Sequence, residues 1–432
     1  MVIAEKMAFG MRLRSARKAL RITREAVANK MGCSAMSISN YESAINPLSD
    51  KILASLKKAM GVEDIPYTDS EILEYKKNLY SMNASVNNSD ISLLDELIHK
   101  LSRCSKLCFD EDLQNLCDLL CAGYTLSVSK MRLHGELMDS LHERTHTFTD
   151  EHFHWYYRCL GLIEQSAWRY KTAMSMYRKA EEYGNRVASD FNLNMKSLYY
   201  SIGFCLTEMN YSYLAMGYLE KLQTKDFSSF NLGAGISIQK LILVNLSKLG
   251  ESGKALEQLK NCLVYVLRDK NHDKLTLFEL QMAIGSVYEA MDDFDMALEY
   301  YDNASTYDDV NNGTFIEYLC YKATLLRTHN HYAKVWECLN QGLPTAIKGT
   351  LWYEWLTAIK HSMTLEDSAS VNSLEWTSIP KLLEHGKHLL VVNCYDWISS
   401  YYEQDSKYKL ALKYDKMAAK IYKQLINGDL SL

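Results

Sequence analysis

The stretch ARKALRITREAVANKMGCSAMSISNYE, residues 16–42, decides how the chain begins. Thr23 stands directly before a short run with helical spacing, the place where a hydroxyl caps the first free N–H groups of a helix. That run stops at Gly32, the residue type that most readily takes the left-handed conformation closing a helix. Ser34 then holds the same capping position before AMSISNYE. Two short helices joined through Gly32 and Cys33 read as a helix-turn-helix, whose second helix enters the major groove of DNA. Outward from this centre, residues 5–20 place apolar side chains at helical spacing with arginines on the other faces. LSDKILASLKKAMGV, residues 48–62, reads as a fourth amphipathic helix after a loop around Pro47.

Charge supports the assignment. Residues 1–61 hold eleven Lys/Arg and four Asp/Glu, a net of +7; the rest of the chain carries −12, against −5 overall. A basic head on an acidic body places nucleic acid at the head alone. The segment resembles the Cro/repressor-like, or XRE, helix-turn-helix family, with Ala26 and Gly32 at the tight turn and Val27, Ile38 and Leu56 as core. The resemblance implies an ion pair between Arg17 of the first helix and Glu42 at the end of the recognition helix. It also implies that Ser34, Ala35, Met36, Ser39 and Asn40 face base edges. Asparagine suits adenine in the major groove, and Ala and Met suit thymine methyls. Thr23, Arg24, Asn46 and Lys51 are the candidates for phosphate contacts, which position the reader without specifying sequence. Arg24 stands where the family has glutamine, and the loop SAINP lacks the family's glycine. The competing reading is a degenerate motif kept only for protein contacts.

At 432 residues the chain exceeds one ordinary core. It is 47% hydrophobic and 23% charged, as soluble globular proteins are. The sequence has no 18-residue apolar run and no signal-peptide core near its start, so a cytoplasmic protein is expected. Eleven scattered cysteines fit small buried hydrophobes in a reducing compartment better than a disulfide framework. The i,i+4 pairs Cys104/Cys108 and Cys117/Cys121 admit a metal or redox site, but each lies in an apolar helical pattern. Proline occurs only at 47, 66, 344 and 380, so helices can run without interruption from 67 to 343.

In that long stretch the tetratricopeptide signature recurs: a small residue near position 8, Ala at 20, a bulky residue at 24 and Ala at 27. Gly161 with Ala173, Tyr177 and Ala180 is the clearest copy. Gly203 with Ala215 and Leu219, then Ala255 with Leu259, then Gly285 with Ala297, Tyr301 and Ala304 follow it. A weaker copy is placed on Ala333 and a last one on Tyr408, Ala411 and Ala418. The fold expected is therefore all-α: a helix-turn-helix domain over 1–66, a linker over 67–89 in which the helix EILEYKKNLY leads into the Asn/Ser-rich stretch SMNASVNNSD, and a right-handed tetratricopeptide superhelix over 90–432. Such arrays present the first helix of each pair on a concave face. The candidate peptide contacts there are Arg158, Gln165, Tyr200, Phe204, Lys240, Asn245, Met282, Glu289, Tyr318 and Lys322, a mixture of anchors and polar groups suited to an extended peptide. For any one of them, ordinary surface or repeat packing is the rival reading.

This order of head and body resembles the RRNPP-type peptide-pheromone receptors of Gram-positive bacteria and their phages, nearest the NprR type, with phage arbitrium receptors as the second subgroup. The resemblance implies a homodimer on operator DNA, switched by a short signalling peptide, with no cofactor. An alternative is a protein-interaction regulator whose array captures a signalling protein such as a response regulator. A remote alternative is a zinc metallopeptidase, because His142-Glu143-Arg144-Thr145-His146 is an HExxH motif with His152 beyond it. Thr149 replaces the glycine such sites need before the third histidine, and no strand-rich sequence surrounds the motif. No catalytic or metal-binding residue is therefore assigned.

Overall fold

The computed structural model describes residues 3–429 except 47, 67, 87–90, 108–109, 129–134, 188–191, 223–231, 269–273 and 308–311. Among these residues every regular element is helical. The chain divides into two compact units: residues 1–162 with 178–195, and residues 163–177 with 196–432.

The first unit opens with α1 (Ile3–Ala19), α2 (Arg24–Met31), α3 (Ala35–Glu42) and α4 (Asp50–Met60). Each start after α1 is capped by a hydroxyl: Thr23 accepts from the Ala26 N–H, Ser34 from that of Ser37 and Ser49 from that of Ile52. Gly32 and Gly61 close α2 and α4 at φ 66° and 70°, where a side chain would be strained. Leu13, Ala16, Val27, Ile38 and Leu56 form the core of this head. α1 crosses α3 at Gly10, where a Cβ would lie 2.6 Å from the Glu42 carbonyl oxygen, so only glycine admits this approach. Pro47 lies outside the described residues.

Four further helices belong to the same unit: α5 (Asp69–Val86), α6 (Ile91–Leu107), α7 (Glu111–Val128) and α8 (Gly135–Glu143). The Asn/Ser-rich stretch read as a linker is helical to Val86; residues 87–90 lie outside the described part. The head is tied to these helices by ion pairs of Lys57 with Glu71 (2.8 Å) and of Arg12 with Asp69 and Asp110 (3.5 Å each). Cys104 and Cys117 are fully buried on α6 and α7, as the apolar reading of their pairs expects, and Cys121 is half-buried. Cys108 lies outside the described residues.

α9 (Asp150–Ser166) and α10 (Tyr170–Gly184) contribute to both units. The second unit continues in pairs: α11 (Asn192–Glu208) with α12 (Ser212–Leu219), α13 (Leu232–Lys248) with α14 (Ser252–Arg268), α15 (Lys274–Ala290) with α16 (Phe294–Ser305), and α17 (Asn312–Thr328) with α18 (Tyr332–Thr345). α19 (Leu351–Met363) precedes two short helices, α20 (Ser368–Asn372) and α21 (Ile379–Glu384), joined by a π-helical turn. α22 (His388–Gln404) and α23 (Tyr408–Asn427) form the last pair.

The repeat signature works as packing. A Cβ on Gly203 would meet Leu219 at 2.7 Å, and one on Gly285 would meet Tyr301 at 2.5 Å, so the small residue of the first helix admits the bulky residue of the second. Ala173, Tyr177, Ala215, Leu219, Ala255, Leu259, Ala297, Tyr301 and Ala304 are all fully buried. Two placements need correction. Ala333 is exposed; Val335, Leu339 and Gly342 are the buried set at the same 4–3 spacing, two residues further on. Tyr408 is also 67% exposed, while Ala411 and Ala418 are buried as expected. Valine fills the α18 slot where the signature has alanine, which displaced the reading of α17 by two residues.

Candidate functional site

The recognition helix α3 is held by a buried charge cluster. Arg17 of α1 donates from Nε to Glu42 Oε1 at 2.5 Å, and Arg24 of α2 donates to Oε2 at 2.8 Å. Arg17 Nη1 also donates to the Ile22 carbonyl at 2.8 Å, tying the turn before α2 to the same group. Burial by itself would raise the Glu42 carboxyl, but hydrogen bonds and charge from Arg17 and Arg24 hold it below the ordinary carboxylate range. The pair implied for Arg17 and Glu42 is present, and the head adds a second arginine to it.

This arrangement sorts the nine candidate DNA contacts. Thr23 and Ser34 are spent as caps, and Arg24 is turned onto Glu42. Met36 is 69% exposed, and Ala35, Ser39 and Asn40 lie half-exposed beside it on the outer side of α3. Lys51 is exposed at the start of α4, and Asn46 is half-exposed in the loop before it. Ile45 had no place in the sequence reading; it sits in the loop after α3, 70% exposed. An isoleucine in a turn carries no periodic signal, so only its exposure marks it.

In the second unit, the first helices bring together polar groups that the repeat pattern only partly located. Tyr200 on α11 and Lys240 on α13 belong to one cluster; Lys240 pairs with Glu279 on α15 at 2.5 Å. Charge from Glu279 and from Tyr200 raises the Lys240 ammonium against its burial. Glu208, at the end of α11, accepts from Lys387 at 2.7 Å. The Lys387 ammonium is almost fully buried and lies 5.2 Å from the Tyr170 ring and 5.3 Å from that of Trp355. Glu317 on α17 shares the repeat position of Glu279. Burial, together with charge from Glu208, pushes its carboxyl up to about 8.

Other candidates stand elsewhere. Gln165 accepts from Tyr177 at 2.7 Å and Glu289 from Tyr301 at the same distance, both within a helix pair. Phe204 stacks edge-on against Tyr170, and Met282 is buried. Asn245 is fully buried and donates to Thr207 (2.6 Å) and the Leu241 carbonyl (2.8 Å). Arg158 belongs to the first unit, where it lies 4.8 Å from the Trp155 ring. Tyr318 and Lys322 face the second helix of the preceding pair: both bind Asp302 of α16, at 2.9 and 2.6 Å. The two-residue register error on α17 explains that displacement, and Cys320 with Thr324, both buried, hold the positions expected of them.

The HExxH motif does not form a zincin helix. α8 ends at Glu143, so His142 and His146 do not share a helical face. His142 bonds the Tyr156 hydroxyl at 2.8 Å, His146 the Glu143 carbonyl at 3.1 Å, and buried His152 the Asp112 carbonyl at 2.9 Å. Asp112, Glu151 and His152 do approach one another. Their cation is the Lys76 ammonium, which contacts both carboxylates, and Tyr80 donates to Glu151.

Residues 8–66 match the helix-turn-helix domain family. The chain is 22% identical to transcriptional activator NprA of Geobacillus stearothermophilus over 309 residues, 67% of this chain and 73% of that one. It superposes on a Rap protein complexed with competence and sporulation factor with a TM-score of 0.66 at 15% identity, covering 83% of this chain and 99% of that one. NprR in complex with its cognate peptide NprX gives 0.61 at 16%, covering 80% and 99%. A helix-turn-helix head thus precedes a helical-repeat body in this chain. No helix among the described residues is long and apolar enough to cross a membrane.

Proposed function

We propose that this chain is a transcription regulator of RRNPP type, whose head binds operator DNA and whose repeat body binds a short signalling peptide that switches it. The observation that carries the reading is a recognition helix whose reading side chains stand open, on a chain whose body places an enclosed polar cluster on its first helices. The similarity to an activator, NprA, and the fold shared with the peptide complex of NprR support it. Residues 1–66 read DNA, 67–89 connect, and 90–432 sense the peptide and dimerise. One such head buries only about 600–1,000 Å² on DNA, so two heads of a cytoplasmic homodimer read paired half-sites.

Met36, Ser39 and Asn40 read bases while Lys51 and Asn46 position the head on phosphates. The Asn40 amide makes no hydrogen bond within the described residues, so it is free for a base edge. The test is selection of bound sites from randomised duplexes by the full chain, at fixed salt because phosphate contacts are salt-dependent. A repeated half-site is expected, and recovery of no motif contradicts the reading. Asn40→Ala should cost about 1–3 kcal/mol per half-site and relax one base position. A selected motif identical to that of the unaltered chain removes Asn40 from the readout.

A further inference from the structure

The turn that ends the recognition helix carries a side chain with no part in the core. Two backbone bonds define the turn: the Ile45 N–H donates to the Asn40 carbonyl at 2.9 Å, and the Ala44 N–H to that of Tyr41 at 3.2 Å. The Asn46 N–H reaches the same Asn40 carbonyl at 3.3 Å. Between these bonds Ala44 takes the left-handed conformation, φ 55°. Glycine adopts it freely, and alanine only under strain. The backbone of Ile45 is therefore fixed to the last turn of α3.

In a turn of this kind the residue in the place of Ile45 ordinarily packs an apolar side chain on the residue in the place of Asn40. Asparagine offers it nothing apolar, and Ile45 stands 70% exposed. Single exposed aliphatic side chains are ordinary on a protein surface. This one differs in three respects. It is β-branched and so stiff at its first torsion. Its backbone is pinned, and the residue it is pinned to carries the amide that is free for a base edge. Met36, 69% exposed, and half-exposed Ser39 continue the open side of the same helix.

An isoleucine side chain neither donates to a phosphate nor accepts from a base. The apolar group that DNA presents in the major groove is the thymine C5-methyl. We propose that Ile45 is a specificity-determining residue of the head, packing on the C5-methyl of a thymine in or beside the base pair read by Asn40. The inference rests on the DNA-binding reading and adds to it a base-specific contact from outside the recognition helix.

The test uses the full chain and duplexes carrying the half-sites that selection returns. Each thymine is replaced in turn by deoxyuridine, which lacks only the C5-methyl. Kd is measured at fixed salt for the unaltered chain, Ile45→Ala and Ile45→Val. At one thymine the unaltered chain should lose about fourfold per half-site, the value for one buried carbon. Ile45→Ala should bind the thymine duplex more weakly and lose nothing further on its deoxyuridine form. Ile45→Val should keep part of the discrimination. Each ratio compares two duplexes with one protein, so it holds whatever fraction of a variant is folded. A deoxyuridine penalty that persists in full in Ile45→Ala, or that the unaltered chain shows at no thymine, overturns the proposal. A loss by Ile45→Ala on paired half-sites but not on a single one, without thymine dependence, also overturns it and places Ile45 between two heads. Each of these leaves the DNA-binding reading standing, whereas selection that returns no motif overturns both.

Discussion

Replacing Glu42 by alanine is expected to cost the head about 3–5 kcal/mol, the range for removing one partner from a buried charge cluster. The reason lies in what remains. Arg17 is 90% buried and would keep its guanidinium charge without a counter-ion, and Arg24 would lose the acceptor that turns it inward. A domain typically holds 5–15 kcal/mol in total, so DNA binding should fall with the population of folded heads. Hydrogen exchange locates the effect: amides of α1 to α4 should lose protection while those of the second unit keep theirs. The same carboxyl has an acid signature. Its folded pKa is depressed, so its stabilisation is present above the unfolded value and fades as pH falls through the folded one. Glu42→Gln should therefore flatten the acid limb of the unfolding profile. Undiminished protection of α3 in Glu42→Ala would show that the cluster contributes nothing.

The second large effect is expected from Lys387→Met. Lys387 lies just before α22, and its partner Glu208 lies 179 residues earlier at the end of α11. Around this pair, His388 meets the Met209 carbonyl at 3.3 Å, His385 that of Trp168 at 3.0 Å, and the Tyr211 hydroxyl donates to the Asp429 carbonyl at 2.9 Å. These contacts join the beginning of the second unit to its end. Methionine matches the lysine stem in length but leaves Glu208 without its counter-charge. A loss of about 3 kcal/mol follows, at the lower end for such pairs because Glu208 keeps some access to water. Amides near 206–211 and 388–393 should lose protection together. Lys254→Met, which breaks an exposed pair with Glu251, should cost no more than about 0.5 kcal/mol. Equal effects of the two substitutions would refute the joining role of Lys387.

The head was largely legible in the sequence because its signals are local. Caps at Thr23 and Ser34, a left-handed glycine at 32 and the spacing of Val27, Ile38 and Leu56 each act within a few residues. Gly10 was silent, since its role is an approach to a backbone 32 residues away. The repeats were legible wherever glycine met a bulky partner, as at Gly203 and Gly285. They were misread where Val335 took the alanine slot, and that single difference placed the expected contacts on Tyr318 and Lys322 in place of Cys320 and Thr324. Glu208 and Lys387 could not be paired from sequence, because nothing local marks a partner 179 residues away. The HExxH motif failed for a local reason: α8 stops at Glu143, inside the motif.

The measurement that bears most directly on the whole account is footprinting of the full chain on the DNA flanking its own gene, with and without short peptides encoded beside that gene. Protection of paired half-sites that one peptide creates, abolishes or respaces is the expected result. Protection that no peptide alters would contradict the switch, and no protection under either condition would contradict the DNA-binding function itself.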